Sequence, residues 1–221
     1  MAEINQPSPH LVRWTYLTFL ILILAWITAW IVKLELDGTY HWLETGAGSS
    51  AYWTSAKLLI WILPALGLIR LSGRSLKQVF NFSNYKAWLL WGGGIGLAIA
   101  LTGLIPNVLS GDPILPTQFS YALLNVLLIS PTFEEFLLRG AILGNLQQHH
   151  TFLTSNVISS LMFVILHLPG WFFMGQLPEN ITRPIGGAFS IFLISLLFGY
   201  AVKRSHSVMG GILAHFLNNL A

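Results

Sequence analysis

Apolar runs of roughly twenty residues, separated by short polar stretches, recur along the whole chain. A membrane-spanning helix needs about 20 mostly apolar residues. Residues 14–32 meet that length, with Trp14, Tyr16, Trp26 and Trp30 toward the ends as interfacial anchors. Residues 52–71 and 88–109 are the second and third runs. The third is loosened by Gly92, Gly93, Gly94 and Gly96, small residues that let helices approach closely. Residues 119–147 form the fourth, interrupted by Pro131, and 152–168 the fifth, ended by Pro169-Gly170. Residues 185–202 are the sixth, and 207–221 a shorter last segment. The pattern predicts an all-α, polytopic transmembrane helix bundle of about seven (seven to eight) membrane segments, in one membrane-embedded domain over 1–221.

Composition agrees with that pattern. Of 221 residues 54% are hydrophobic and only 9% charged, against about 25% charged in soluble domains. The lipid bilayer is therefore the first partner. No cysteine occurs, so no disulfide, thiolate nucleophile or cysteine metal site is available. The formal charge of +3 sits in short loops and gives no footing for a nucleic-acid partner. The opening 1–10 contains Glu3 and lacks a basic start, so it does not read as a signal peptide.

Loop charges orient the bundle. Arg70, Arg74, Lys77 and Lys86 lie between the second and third segments, and Lys203 and Arg204 follow the sixth. The loop after the first segment carries Glu35, Asp37 and Glu44, and the loop after the third only Asp112, in an Asp112-Pro113 turn. Counting 119–147 as one crossing keeps every basic edge cytoplasmic, with the N-terminus inside, as in a bacterial inner membrane.

Against this background Glu134, Glu135 and Arg139 stand out, because a charge at membrane depth costs several kcal/mol and is retained for a purpose. Glu135 and Arg139 are i,i+4 and share a helix face, whereas Glu134 is rotated about 100° away. Glu135 is thus expected to pair with Arg139, leaving Glu134 free to face a polar cavity. At about 1.5 Å per residue, Glu134 lies roughly 20 Å above Gln147 and His167 roughly 21 Å above Leu153. On the same rise His215 and Asn219 lie roughly 12 and 18 Å above Ser207, so all four fall in one slab. A glutamate and a neutral imidazole sharing a water can deprotonate it for attack on a carbonyl. His215 and Asn219, also i,i+4, can both donate to one oxyanion.

The motifs EExxxR (Glu134, Glu135, Arg139), FxxxH (Phe163, His167) and HxxxN (His215, Asn219) resemble those of the CPBP intramembrane proteases (CAAX proteases and bacteriocin-processing proteins, also called Abi). That family is related to type II CAAX prenyl endopeptidases. The resemblance covers a core of 131–219 and implies an intramembrane glutamic peptidase without cofactor or metal. In it Glu134 and His167 activate water, His215 and Asn219 stabilise the oxyanion, and Glu135 and Arg139 support the site or engage substrate. The implied partner is a membrane-associated protein or peptide substrate, lipidated or not, reaching the site from the cytoplasmic side or laterally from lipid. Prenyl endopeptidases often carry a further Asn shortly after the second-motif histidine. Here Leu168-Pro169-Gly170-Trp171 stands in its place, which weakens any claim of prenyl-protein specificity.

Two other readings compete. Glu134, His167 and His215 are a possible zinc ligand set for an intramembrane metalloprotease, although no H-E-x-x-H occurs. A non-catalytic membrane adaptor or bacteriocin-immunity protein on the same scaffold would also retain the motifs. A transporter fits less well, because the polar residues cluster and form no path across the bilayer. Ser159, Ser190 and Ser195 are expected to bond backbone carbonyls. His149-His150 is expected at a solvated edge and Trp171-Phe172-Phe173 in an interfacial belt. Phe133, Phe136, Phe163 and Phe216 are expected as an apolar wall around the polar centre.

Overall fold

A computed structural model describes residues 10–111 and 118–220. The expected Asp112-Pro113 turn and Glu3 lie outside the described residues. The described chain is helical, without a strand. Helix α1 is His10–Thr39, α2 Gly46–Leu71, α3 the short Leu76–Phe80, and α4 runs over 85–110. Helix α5 runs over 121–146, α6 is Phe152–Phe173, α7 the short Leu177–Thr182, α8 Ala188–Ser205 and α9 Val208–Leu220. Among the described residues, five helical stretches are long and apolar enough to cross a membrane: α1, α2, the stretch from α3 through α4, α6 and α8. Helices α5 and α9 pack among them.

Several boundaries differ from the sequence reading. Helix α1 begins before Trp14 and extends to Thr39, so Glu35 and Asp37 belong to the helix instead of the loop. There Lys33 donates to Asp37 at 2.5 Å and to the Leu43 carbonyl at 3.0 Å, closing the turn into α2. Trp26 and Trp30 do not sit at a lipid interface. Trp26 is buried with Trp61 at 4.6 Å between ring centres, and Trp30 packs on Trp53 at 4.4 Å and on Phe173. The lipid-facing side of α1 instead carries the exposed Leu20, Ile21 and Leu24. Lipid tails are as apolar as these side chains, so close packing, not water exclusion, holds such helices together.

Helix α6 does not stop at Pro169-Gly170 but continues to Phe173, with Pro169 inside it. Proline removes one helix bond yet fits where neighbouring helices support the turn. Gly170 allows that support: a Cβ there would sit 3.1 Å from the Trp30 ring. Trp171 is consequently buried, unlike the expected interfacial residue, while Phe172 remains exposed.

The π-helical stretches had no sequence signal. They cover Leu58–Ile62, Leu89–Gly93, Asn125–Ile129 and Phe136–Leu143. Each adds a residue to a turn and rotates the helix beyond it, and such stretches recur at functional sites. In α5 they flank the acidic pair on both sides. Arg74 supports the second of these. Its guanidinium donates to the carbonyls of Gly140 (2.8 Å) and Ala141 (3.0 Å) and to Asn145 Oδ1 (2.5 Å). Gly144 makes room for that guanidinium, since a Cβ would lie 1.8 Å from Nη1. Burial lowers the Arg74 pKa to about 10, so the residue stays charged at neutral pH.

Helix α9 reaches the centre because α4 presents glycine to it. A Cβ on Gly92 would come within 2.5 Å of the Gly210 carbonyl, and one on Gly96 within 2.9 Å of Ala214 Cα. Of the four glycines read as permitting close approach, Gly92 and Gly96 do so, whereas a Cβ on Gly93 would meet only an ordinary contact at 3.8 Å and one on Gly94 nothing within 4 Å. At the end of the bundle, Asn81 adopts a left-handed conformation (φ 37°) that separates α3 from α4. Its amide donates to the His206 carbonyl at 3.0 Å, and Asn84 donates to the Ser205 carbonyl at 2.6 Å, tying this break to the turn before α9.

Candidate active site

Helix α5 carries the acidic pair, and its surroundings treat the two glutamates differently. Glu135 is fully buried and accepts from Arg139 Nη1 at 3.0 Å. Arg139 Nη2 donates to both the carbonyl (2.7 Å) and the hydroxyl (2.6 Å) of Ser195 on α8. The rings of Phe163 and Phe198 lie 4.9 and 5.9 Å from the guanidinium carbon. A buried ion pair needs such additional partners to offset the loss of water. The i,i+4 pairing read from the sequence is thus present. Ser195 departs from its reading, since its hydroxyl accepts from Arg139 instead of bonding a carbonyl. Ser159 and Ser190 do bond carbonyls, those of Asn156 and Pro184.

His215 on α9 touches both acids. Its Nδ1 lies 3.2 Å from Glu135 Oε1 and its Nε2 4.0 Å from Glu134 Oε2. Phe198 stacks on the imidazole at 4.8 Å, and Phe163 meets it edge-on at 5.7 Å. Because the Glu135 carboxylate accepts from Nδ1–H, Nε2 donates only when the ring carries both protons. Gly211, one turn before His215, is needed here: a Cβ would fall 2.6 Å from Glu135 Oε2.

Glu134 turns the other way, into a cavity of about 170 Å³. Trp26, Trp30, Lys57, Trp61, His167 and Trp171 are among its walls. His167 approaches along α6, and its Nδ1 lies 2.8 Å from the Phe163 carbonyl. A carbonyl only accepts, so Nδ1 carries the proton and the neutral ring offers Nε2 as an acceptor. Phe163, the first residue of its motif, packs at 4.8 Å on His167 and so connects both histidines and the arginine. Phe136 instead packs away from the centre, on Phe80 at 5.5 Å. His149 and His150 are exposed, as expected.

The structure brings Glu134, Glu135, Arg139, His167 and His215 into one centre, but it uses Asn219 differently. The Asn219 amide donates to the Val126 carbonyl of α5 at 2.9 Å. The cause lies in the backbone. In the π register Ser130 N–H bonds Asn125 O, so the next bond would join residue 131 to Val126. Residue 131 is proline and has no N–H. Asn219 occupies the carbonyl that Pro131 leaves open.

The cavity lies in the half of the bundle where α1 ends, away from the basic loop around Arg74. Entry was expected from that basic side or from lipid. A separate space of about 260 Å³ lies on the basic side, walled by Arg74, Arg139, Gln147, Lys203 and His206. Among the described residues no group of three or more His, Asp or Glu is gathered as a metal would require.

Lys57 was missed in the sequence reading. It is buried on α2, donates to Asn125 Oδ1 at 2.9 Å and to Ser130 Oγ, and lies 5.3 Å from the Trp61 ring centre. A lysine within the second apolar run was the available signal.

Fold and site together define a multi-pass membrane protein with a buried carboxylate–histidine centre. Residues 116–221 match the family model described as type II CAAX prenyl endopeptidase Rce1-like, which spans all three motifs. The family resemblance carried by those motifs is thereby shown, and it supports CAAX-type intramembrane protease activity in general. No curated protein matches the chain.

Proposed function

We propose that the protein is an intramembrane endopeptidase that hydrolyses a peptide bond of a membrane-associated or lipidated protein by glutamate- and histidine-activated water. The observation that carries this reading is that Glu134 and His167 line one cavity, with His167 Nε2 free to accept. Glu134 and His167 hold a water between them, and Glu134 takes its proton as oxygen attacks the peptide carbon. Charge then builds on the carbonyl oxygen. His215, as imidazolium between the two carboxylates, donates to it from Nε2. Asn219 adds the amide N–H that Val126 does not occupy. As the carbon–nitrogen bond breaks, the proton on Glu134 passes to the leaving amine. Glu135 and Arg139 keep α5, α8 and α9 in register around these groups.

Comparative proteomics of membranes from cells carrying the natural chain, Glu134→Ala or His167→Ala tests this. A substrate precursor accumulates in both variants, each expected to lower turnover at least a hundredfold. Unchanged processing in both would refute the peptidase, and a phenotype that survives both would indicate an adaptor or immunity role.

A further inference from the structure

Lys57 is a buried cation that neither the family motifs nor the water-activation scheme uses. Its bonded acceptors, Asn125 Oδ1 and Ser130 Oγ, are neutral, and the face of Trp61 adds a cation–π contact. Neutral acceptors solvate an ammonium but do not balance its charge, and an unbalanced charge at this depth is costly. The carboxylate that shares its cavity is Glu134, and the two groups interact electrostatically. Backbone geometry makes the arrangement specific. Ser130, which holds the ammonium, is four residues before Glu134, so both project from one side of α5 about one turn apart. The π stretch Asn125–Ile129 brings Asn125 round to Ser130, whose hydroxyl donates to Asn125 Oδ1 at 2.9 Å. Asn125 and Ser130 thus form a seat for one lysine from another helix.

We infer that Lys57 is a positioning residue whose ammonium, seated on Asn125 and Ser130, keeps the Glu134 carboxylate ionised and turned into the cavity. This rests on the reading of Glu134 as the base. The other charged or titratable groups about Glu134 are Glu135 and Arg139 on α5, His167 on α6 and His215 on α9. Arg139 is bonded to Glu135, and His215 stands between the two carboxylates outside the cavity walls, so Lys57 is the cation that lines the cavity with Glu134. A tenfold change in proton affinity moves a titration by one pH unit. Removing Lys57 therefore delays Glu134 ionisation to higher pH.

The test uses the full chain in detergent or liposomes, comparing Lys57→Met, Lys57→Arg and Ser130→Ala with the natural protein. In Lys57→Met the acid limb of the pH–rate profile moves up by about one pH unit or more, a tenfold loss of rate on that limb. Lys57→Arg restores the limb, and Ser130→Ala moves it part of the way. A second readout does not need turnover: labelling of Glu134 by an apolar carbodiimide, which reacts with the protonated carboxyl and is located by mass spectrometry. In Lys57→Met labelling persists to a pH about one unit higher. An unmoved labelling curve and an unmoved acid limb overturn the inference. Shifted labelling in a protein that cleaves nothing retains Lys57 as the counter-charge and removes the peptidase reading instead. If Lys57→Met does not fold, Ser130→Ala and Lys57→Arg carry the test, and identical labelling in both overturns it.

Discussion

The bond between Asn219 and Val126 can be separated from any chemistry at the centre by a double-mutant cycle with Pro131. In the natural chain Pro131 lacks the N–H that would meet the Val126 carbonyl, and Asn219 donates to that carbonyl at 2.9 Å. Asn219→Ala removes the donor and leaves a carbonyl that faces lipid without a partner. A net hydrogen bond contributes about 1 kcal/mol, and an orphaned group costs about 1–3 kcal/mol. Asn219→Ala should therefore destabilise by about 1–2 kcal/mol. In Pro131→Ala the helix supplies its own N–H to Val126, through a π or an α register. The cost of Asn219→Ala in that background should fall below about 0.5 kcal/mol, a coupling of about 1 kcal/mol between the two positions. Reversible unfolding in mixed micelles, followed by tryptophan fluorescence, measures all four corners. An equal cost of Asn219→Ala in both backgrounds would refute the backbone explanation. Activity then reports on the oxyanion role. If Asn219 donates to the oxyanion, the double variant regains stability but not turnover.

Two further outcomes rest on the same geometry. Arg139→Met should destabilise by about 3–5 kcal/mol, because it leaves Glu135 charged and buried without its guanidinium partner. Thermal unfolding in detergent measures this, and Arg139→Met with Glu135→Met should recover most of the loss. On the exposed turn between α1 and α2, Glu44 accepts from His41 at 2.6 Å, and this bond raises the His41 pKa above 6.5. The contact stabilises the turn fully below the unfolded value and fades as pH rises through the raised folded value. Glu44→Gln should return His41 toward 6.5 in a histidine NMR titration, and an unmoved midpoint would count against the contact.

The sequence determined that the chain crosses a membrane, because apolar runs of spanning length admit no other solvent. It also determined how Glu134 and Glu135 divide, since four residues bring Glu135 beside Arg139 whichever helical register intervenes. Depth along each helix placed His167 and His215 at the level of Glu134. A short change of register alters the rise by only a fraction of an ångström per residue, so depth is less sensitive to it than rotation is.

Features that depended on rotation or on partners far along the chain were decided by tertiary structure. The π stretches reflect the balance of neighbouring bonds, as where Arg74 holds the Gly140 and Ala141 carbonyls from a distant loop. They bring Asn125 to Ser130 and open Val126 to Asn219, which no α-helical projection would give. Trp26, Trp30 and Trp171 read as interfacial because aromatic rings favour that zone. Packing among α1, α2 and α6 drew them inward as cavity walls. Lys57 has no acidic residue within a turn of it on its own helix, and only the docking of α2 against α5 gave it a seat and placed it in one cavity with Glu134. Interactions within one turn are fixed by covalent spacing, but contacts between helices exist only once the helices have packed.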